Sequence, residues 1–403
     1  MNILFITDFF PPETNAAASR VYERAKHWIE DGHSVTVITS VPNFPVGRVH
    51  EGYQNKLYQV ESMSGVRVVR VKTFIYENTG RVRRSLDLLS FLFTALPVAM
   101  FESKPDVIVA TTPNFFAGVA GCIAALLRRK VFVLEVGDLW PAFAIALNQI
   151  RQRPLIKVLE KIELYMYAKA ERIICLSPAF ERDLTSRGIS DQKIAVVTNG
   201  ADLNVFHPKE PPSALVERLN PDGKLIIGYF GTVGLAHGLD RFLAKDRELG
   251  EFKLIIAGDG AATGEVRKSL ESKDVKDVTL LPSQPRDLMP DYWALCDVAL
   301  VVLKDIPVLG AAIPSKMFEA MACGVPILLV APEGEAAQIV RAERCGLHVL
   351  PDDVEQHTEA LSKLADGRLR SEFRNAALQA ASKYSRERQA SQFMRELDMA
   401  MGA

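Results

Sequence analysis

The segment Ile313-Pro-Ser-Lys-Met-Phe-Glu-Ala-Met-Ala-Cys-Gly-Val-Pro-Ile-Leu328 combines a turn, a short helix and a buried strand. Pro314 and Ser315 favour the first turn of a helix, whose unpaired N–H groups and positive dipole end attract phosphate. Lys316 adds a positive charge there, and Glu319 shares its helix face, where it can accept hydrogen bonds from a ribose diol. The segment predicts half of a nucleotide-binding site, although a capped surface helix with a solvated Lys–Glu pair fits the same pattern.

On both sides of this segment, short β-branched apolar runs alternate with helical stretches, which is typical of parallel βα units. In the first half the runs are Ile3–Thr7, Val35–Thr39, Val66–Val71, Val107–Ala110, Val131–Val136, Arg172–Leu176 and Ala195–Val197. In the second half they are Leu225–Phe230, Lys253–Ala257, Val278–Leu281, Val298–Leu303, Ile327–Val330 and Leu347–Val349. The pattern predicts two open α/β sheets, with a seam in the proline-containing segments 206–213 or 220–223 and a helical tail from Ser371.

The composition is that of an ordinary globular protein. The 403 residues, 48% hydrophobic and 24% charged, are enough for two domains with separate cores. Five widely spaced cysteines in apolar surroundings favour reduced thiols in a cytosol. The N-terminus has no basic leader before its apolar run, so we do not expect a signal peptide.

The charges are divided unevenly along the chain. Residues 1–190 carry 23 Lys and Arg against 18 Asp and Glu, whereas the remainder carries 25 against 31. A positive first half fits an anionic partner such as a phospholipid surface or a lipid diphosphate, although plain solubilising charge gives the same count. Because no dense basic run with interleaved aromatic residues occurs, nucleic acid is not an expected partner.

Two segments bear on membrane contact. The uncharged stretch 107–127 is long enough to span a bilayer, but Pro113 and Gly118 break it, so a buried strand followed by a helix is the favoured interpretation. The cluster at residues 81–84 precedes an aromatic-rich apolar helix, 86–101, that is too short to span. This pattern predicts a helix in the headgroup layer of an anionic membrane, or else a core helix with an exposed start. The basic side chains of the cluster are Arg81, Arg83 and Arg84.

Ligands of open parallel sheets bind beyond the carboxyl ends of the strands, so the loops after the apolar runs are the expected sites of chemistry. Small residues, including Asn15 and Ala16, follow the first run, and glycine-rich turns follow the runs that contain Ile227 and Ile256. Each glycine loop alone is a weak signal. Their recurrence at strand ends is the stronger observation.

The sequence as a whole resembles the retaining glycosyltransferases of family 4, which have the two-Rossmann GT-B fold. Four segments carry the resemblance: Phe10–Glu13 with Asp31–Val37, Val197–Pro208, Val278–Pro282 through Cys296–Leu300, and Ile313–Leu328. Their order along the chain also matches the family. The resemblance implies two doubly wound parallel-sheet domains that face each other across a cleft, with a C-terminal helix returning to the first domain.

Finer details are similar to the O-antigen L-fucosamine transferases of the WbuB type, which extend lipid-linked glycans at the cytoplasmic membrane face. The motifs are Pro314-Ser-Lys316, Gly234-Leu-Ala-His-Gly-Leu239, Pro42-Asn-Phe-Pro-Val-Gly47 and Gly137-Asp-Leu-Trp-Pro141. The implied division is an acceptor and membrane-side domain (1–206), a nucleotide-sugar donor domain (207–384) and a returning helix (385–403). The implied location is cytoplasmic, peripheral on the inner face of the cell membrane.

The chain departs from the family pattern in three places. Ala311 stands where the family has a glutamate eight residues before Glu319, and Thr232 and His237 replace an Arg and a Lys. Asn15-Ala-Ala17 replaces the usual glycine pair. The donor phosphates therefore lose two expected cations, and we expect the lysine of the opening segment to become their main partner.

Sugar transfer from a nucleotide requires stabilisation of the negative charge that grows on the departing diphosphate. The N–H groups of Ser315 and Lys316, with the lysine ammonium, can supply it, and no convincing Asp-x-Asp pair is present for Mg²⁺. We therefore expect metal-independent transfer without a cofactor. The residues assigned to the donor are Glu319, Ser315, Pro314, Ile313, Gly231, Thr232, His237, Gly258, Asn15 and Ala16. The expected donor is a UDP-sugar, carrying N-acetyl-fucosamine or a related hexosamine by resemblance, and the expected acceptor is a polyprenyl-diphosphate-linked saccharide.

Acceptor activation is assigned to a carboxylate at the end of a buried strand. Asp138 is the better placed to orient or deprotonate an acceptor hydroxyl, and Glu135 is the alternative. Asp138 would instead be a helix N-cap if it served only the next helix. Two other functions share the architecture: a sugar-nucleotide 2-epimerase, which needs no acceptor, and a nucleotide-sugar-binding protein without turnover.

Overall fold

The computed structural model describes residues 1–45, 47–76, 81–102, 104–244, 249–271 and 277–402, without the side chains of residues 81–85 and 244. The chain forms two compact units. The first comprises Met1–Thr198 and Glu387–Ala403, and the second comprises Asn199–Arg386. Ala201 and Ser385 pair in a parallel bridge, so the two chain segments that enter and leave the second unit run side by side.

The first unit is built on an eight-stranded sheet with the order β3-β4-β2-β1-β5-β6-β7-β8. Its strands are β1 (Asn2–Ile6), β2 (Ser34–Ser40), β3 (Tyr58–Met63), β4 (Val66–Val71), β5 (Val107–Thr112), β6 (Val131–Val136), β7 (Arg172–Cys175) and β8 (Ile194–Val196). Its helices are α1 (Ala16–Glu30), α2 (Arg81–Phe101), α3 (Phe115–Arg128), α4 (Ala142–Ala146), α5 (Arg153–Lys169) and α6 (Pro178–Ser186). The strand order grows outwards from β1 in both directions, which makes the sheet doubly wound.

The second unit has a six-stranded sheet with the order β11-β10-β9-β12-β13-β14, the Rossmann order, with every pair parallel. Its strands are β9 (Leu225–Phe230), β10 (Phe252–Ala257), β11 (Val278–Leu281), β12 (Val298–Val302), β13 (Ile327–Val330) and β14 (Gly346–Val349). Its helices are α7 (Ser213–Leu219), α8 (Leu239–Ala244), α9 (Thr263–Glu271), α10 (Met289–Ala294), α11 (Lys316–Ala322), α12 (Glu335–Glu343), α13 (Val354–Ala365) and α14 (Gly367–Ala381).

The last helix, α15 (Arg386–Met401), packs in the first unit. The Trp28 indole N–H donates to the Ala390 carbonyl at 3.0 Å, and the rings of Trp28 and Phe393 are 5.3 Å apart. Arg172 forms an ion pair with Glu396 at the other end of the helix. The expectation that a C-terminal helix returns to the first domain is confirmed.

The two-sheet prediction is confirmed, and so is the strand–helix interpretation of residues 107–127, which form β5 and most of α3. One strand is missing from the predicted set. Strand β3 pairs antiparallel with β4 at the sheet edge, so the first sheet is mixed rather than wholly parallel. The sequence places a seam in segment 206–213 or in segment 220–223. Both segments lie within the second unit, which begins at Asn199, and Phe206 belongs to its apolar core.

Candidate active site

The start of α11 forms the centre of the site in the second unit. Ser315 is its N-cap and Lys316 its first residue. The N–H groups of Met317 and Phe318 donate to the carbonyls of Pro314 and Ser315 at 3.2 and 3.0 Å. The N–H groups of Ser315 and Lys316 precede these bonds, so they lie at the end of the helix that attracts anions.

The Lys316 side chain is only 8% exposed, and its Nζ makes no hydrogen bond to any group that the structure describes. Nζ lies 3.5 Å from the centroid of the Tyr229 ring, on β9. The Tyr229 hydroxyl donates to the Thr232 carbonyl at 2.8 Å, which fixes the ring. Burial lowers the pKa of Lys316 to about 7, although the charge of Glu319 raises it. The result is a buried amine that has an aromatic neighbour but, among the described residues, no acceptor for its protons.

Two glycines leave space beside this amine. Gly231 has φ +109°, and a Cβ there would lie 3.9 Å from Lys316 Nζ. A Cβ at Gly258 would lie 1.9 Å from the Gly231 carbonyl oxygen, so this position requires glycine. The turns after β9 and β10 therefore pack backbone to backbone, and the exposed residue Gly231 presents bare main chain next to the lysine.

His237 is close to the same cluster, with its ring centroid 6.3 Å from that of Tyr229. The Gly234 N–H donates to His237 Nδ1 at 3.0 Å, so in the neutral ring the hydrogen is on Nε2. Burial, reinforced by the charge of Lys316, lowers the pKa of His237 to about 3. His237 therefore offers a neutral N–H donor and does not replace the family's cation.

Glu319, one turn along α11 from Lys316, is partly exposed and accepts a hydrogen bond from Arg286 Nη1 at 3.0 Å. The Arg286 guanidinium lies 5.1 Å from the centroid of the Phe206 ring. Ile313, assigned to the donor site from sequence, packs against the apolar core of the unit. Arg286 therefore fixes the Glu319 carboxylate near Lys316, and the packing of Ile313 against the core fixes the turn before α11.

In the first unit Glu135 is fully buried on β6 and pairs with Arg20 at 3.2 Å and also with Arg24. Burial raises the pKa of Glu135, but the charges of Arg20 and Arg24 outweigh it, and the pKa is lowered to about 2. Glu135 is therefore ionised and committed to two guanidinium groups. Its ion pairs with Arg20 and Arg24 position α1 against β6.

Asp138 follows β6 and is half-buried. Burial raises the pKa of Asp138 to about 6, and the charge of Arg20 acts against that rise. Helix α4 begins at Ala142 with Pro141 as its N-cap, and no side chain caps it. The alternative that Asp138 caps the next helix is therefore wrong, and Asp138 keeps a carboxylate that titrates close to neutral pH.

Asn15 and Ala16 begin α1. The Asn15 Oδ1 accepts the Ala18 N–H at 2.9 Å, which is an N-cap bond, while Nδ2 has no partner within the described part of the chain. Ala16 is the exposed first residue of the helix. Asn15 thus retains its amide Nδ2 as a donor at the carboxyl end of the first sheet, where the strand order reverses between β1 and β5.

The structure brings one set of predicted residues together in the second unit, and this set contains Lys316, Ser315, Pro314, Gly231, Thr232, His237, Gly258 and Glu319. Asp138, Glu135, Asn15 and Ala16 belong to the first unit. Sequence reasoning missed Tyr229, Arg286 and Arg20. A signal existed for Arg20, because a glutamate inside the apolar strand Val131–Val136 requires a buried cation.

Helix α2 is buried on one face and exposed on the other. Phe91 lies in the core, whereas Phe93 is 68% and Phe101 92% exposed, and Leu86 and Pro97 are on the same exposed face. The helix therefore presents an apolar stripe to solvent, which we name the α2 stripe. The side chains of Arg81, Arg83 and Arg84 lie outside the described residues. In the described chain, no helix combines the length and the apolar character needed to cross a membrane.

Comparison with known proteins agrees with this architecture. Residues 17–205 match the profile of Glycosyltransferase Family 4, and residues 215–383 match that of Glycosyl transferases group 1. The chain is similar to the putative colanic acid biosynthesis glycosyl transferase WcaI of Escherichia coli K12, with 24% identity over 80% of this chain and 82% of the relative.

Solved structures share the fold. Sucrose-phosphate synthase of Thermosynechococcus elongatus superposes with a TM-score of 0.76 at 17% identity, covering 99% of each chain. HepE of Anabaena, in complex with UDP and glucose, gives a TM-score of 0.72 at 17% identity, covering 98% of this chain and 99% of HepE. The fold is GT-B, as expected. The chain belongs to glycosyltransferase family 4 and is a glycosyltransferase.

Proposed function

We propose that this glycosyltransferase moves a sugar, with retention of configuration, from a nucleotide diphosphate to a lipid-linked saccharide during surface polysaccharide or O-antigen synthesis. The observation that carries the proposal is the buried Lys316 amine. It has no hydrogen-bond acceptor among the described residues and lies beside the bare backbone of Gly231. A buried amine without a partner is costly, so its retention beside an open glycine turn favours an anionic ligand.

The donor diphosphate is assigned to the start of α11. The N–H groups of Ser315 and Lys316 and the lysine ammonium would stabilise the charge that grows on the leaving diphosphate. The neutral His237 donates one further hydrogen bond. Glu319, already oriented by Arg286, would accept from the ribose hydroxyls. Because these groups supply the charge stabilisation themselves, transfer is proposed to need no divalent metal.

The donor is proposed to be a UDP-sugar. HepE of Anabaena, which shares the fold, is described in complex with UDP and glucose. The transferred sugar is proposed to be N-acetyl-fucosamine or a related hexosamine, on the resemblance of the loops to WbuB-type transferases. The colanic acid role given for WcaI supports polysaccharide synthesis as the setting.

Asp138 is the proposed partner of the acceptor hydroxyl. Asp138 follows β6, at the carboxyl end of the strands, where ligands of doubly wound folds bind, and its carboxylate has a pKa of about 6. Glu135 is the weaker candidate because two arginines already engage it. Glu135 is proposed to position Arg20, whose charge favours the ionised form of Asp138.

The acceptor is proposed to be a polyprenyl-diphosphate-linked saccharide, reached from the inner face of the cell membrane. The α2 stripe supplies apolar contact area, and the basic cluster at residues 81–84 supplies attraction to anionic lipid. Charge reversal of Arg81, Arg83 and Arg84 to Glu should lower binding to anionic liposomes. Equal partitioning of the variant and the parent protein would contradict membrane docking through this cluster.

The test of function is a transfer assay with a panel of UDP-sugars and a membrane extract as the acceptor source, with and without chelator. We expect a lipid-soluble labelled product whose formation survives the chelator, with the donor's anomeric configuration kept in the new linkage. Conversion of the sugar nucleotide in the absence of acceptor would favour the 2-epimerase alternative. Nucleotide-sugar binding without any product across the panel would favour a binding protein without turnover.

A further inference from the structure

We infer that a nucleoside diphosphate enters this site together with one proton, which is taken up by Lys316. The inference rests on the proposed function, because it assigns the ligand of the same site. In the empty site the amine would be neutral for a large part of the time, and the arriving diphosphate would make the ammonium the stable form.

The first support is the surroundings of Nζ. An ammonium has three N–H donors, yet Lys316 Nζ makes no hydrogen bond to a described group and is almost wholly buried. Instead, Lys316 Nζ lies over the face of the Tyr229 ring, 3.5 Å from the ring centroid. A cation–π contact with one ring offsets only part of the free energy that removing an ion from water costs. The geometry by itself therefore disfavours the charged form.

The second support is the balance of charges around the amine. Glu319 on the same helix is engaged by Arg286, so its negative charge is partly neutralised before it acts on the lysine. His237 is neutral, and Lys304, after β12, adds positive charge to the neighbourhood of His237. Tyr229 is uncharged, because burial raises its pKa far above neutral. None of these described neighbours supplies an uncompensated negative charge to the lysine.

The direction of the coupling follows from linkage. Burial holds the pKa of Lys316 at about 7 in the empty site, and a bound diphosphate would raise it. The contribution of the Lys316 ammonium to affinity is then complete below pH 7 and falls as pH rises above 7, by up to about tenfold per pH unit, until the pKa of the complex is reached. At pH 8, which is above this pKa, Lys316 is mostly unprotonated without the ligand, and binding would restore the proton.

The experiment is calorimetric titration of the full chain with UDP at pH 8 in three buffers of different ionisation enthalpy. At this pH the terminal phosphate is already ionised, since its pKa is about 6. The dependence of the observed heat on buffer enthalpy gives the number of protons bound. For the parent protein we expect uptake of most of one proton. For Lys316→Arg, which keeps the charge but does not titrate, we expect about zero.

Lys304→Met is the matched control. It removes a neighbouring lysine, and its proton uptake should equal that of the parent protein. UDP binding by the parent protein without proton uptake would overturn the inference and leave the nucleotide site intact. Uptake that persists in Lys316→Arg would also overturn it, because the proton would then go to His237 or to phosphate. Failure of UDP, GDP and ADP to bind at all would overturn both the inference and the proposed function.

Discussion

Replacement of Glu135 by alanine should destabilise the first unit strongly. The carboxylate is fully buried between Arg20 and Arg24, which are themselves buried. Breaking a buried ion pair by removing one partner costs about 3–5 kcal/mol. The pKa of Glu135 gives a similar loss in the free energy of unfolding, since lowering that pKa from 4.5 to about 2 corresponds to ~3 kcal/mol at neutral pH.

The assay is urea unfolding followed by tryptophan fluorescence, in which Trp28 reports on the first unit. With a slope of ~2–3 kcal/mol per molar urea, the midpoint should fall by ~1 M. Glu30→Ala is the control, because this glutamate is exposed and its ion pair within the described residues is with the neighbouring His27; its loss should change stability by less than ~0.5 kcal/mol.

The pH dependence supplies an independent check. The folded-state pKa of Glu135 is below its unfolded value, so its contribution is complete above pH 4.5 and is lost as pH falls towards about 2. The difference between the parent protein and Glu135→Ala should therefore shrink over that range. The reasoning is refuted if Glu135→Ala unfolds within ~1 kcal/mol of the parent at pH 7, or if the difference does not change in acid.

Three further outcomes are expected. Because the pKa of Asp138 is raised to about 6, the transfer rate of the parent protein should fall as pH drops below 6. Asp138→Asn should lower the rate about 10²–10⁴-fold and abolish this fall at acid pH. A pH–rate profile of the variant that is unchanged from the parent's would remove Asp138 from catalysis. Glu319→Ala should weaken nucleotide binding about 10- to 100-fold through lost ribose hydrogen bonds. Lys316→Ala should lower the transfer rate and, because its ammonium would pair with the bound diphosphate, nucleotide affinity as well; unchanged kinetics in both variants would reject these roles. Phe93→Ser with Phe101→Ser should weaken liposome binding about tenfold or more without changing nucleotide affinity, and exposed Leu57→Ser is the control that should bind liposomes as the parent does.

The sequence was sufficient to predict the parallel strands, because each is a short β-branched run bounded by turn residues. Strand β3 was missed although a local signal exists. Tyr58–Met63 alternates in exposure, and Ser64 and Gly65 both have positive φ, which is the geometry of a two-residue hairpin turn. A strand with one solvated face reads as polar and is easily taken for a loop.

The candidate site was predictable where one local motif carries it. The turn, helix and lysine of residues 313–328 are contiguous, so pattern alone places Lys316 at the start of a helix. Tyr229 and Arg286 lie far from it in the chain, and only tertiary packing brings them to Lys316 and Glu319. The same holds for Arg20, whose contact with Glu135 joins α1 to β6.

The central claim is that the second unit binds a nucleoside diphosphate through α11. The most direct measurement is titration of the purified chain with UDP, GDP and ADP, repeated with the Glu319→Ala variant. We predict saturable binding, with UDP preferred, and a weaker affinity in the variant. Absence of binding by all three nucleotides, or equal affinity in the parent protein and Glu319→Ala, would contradict the claim.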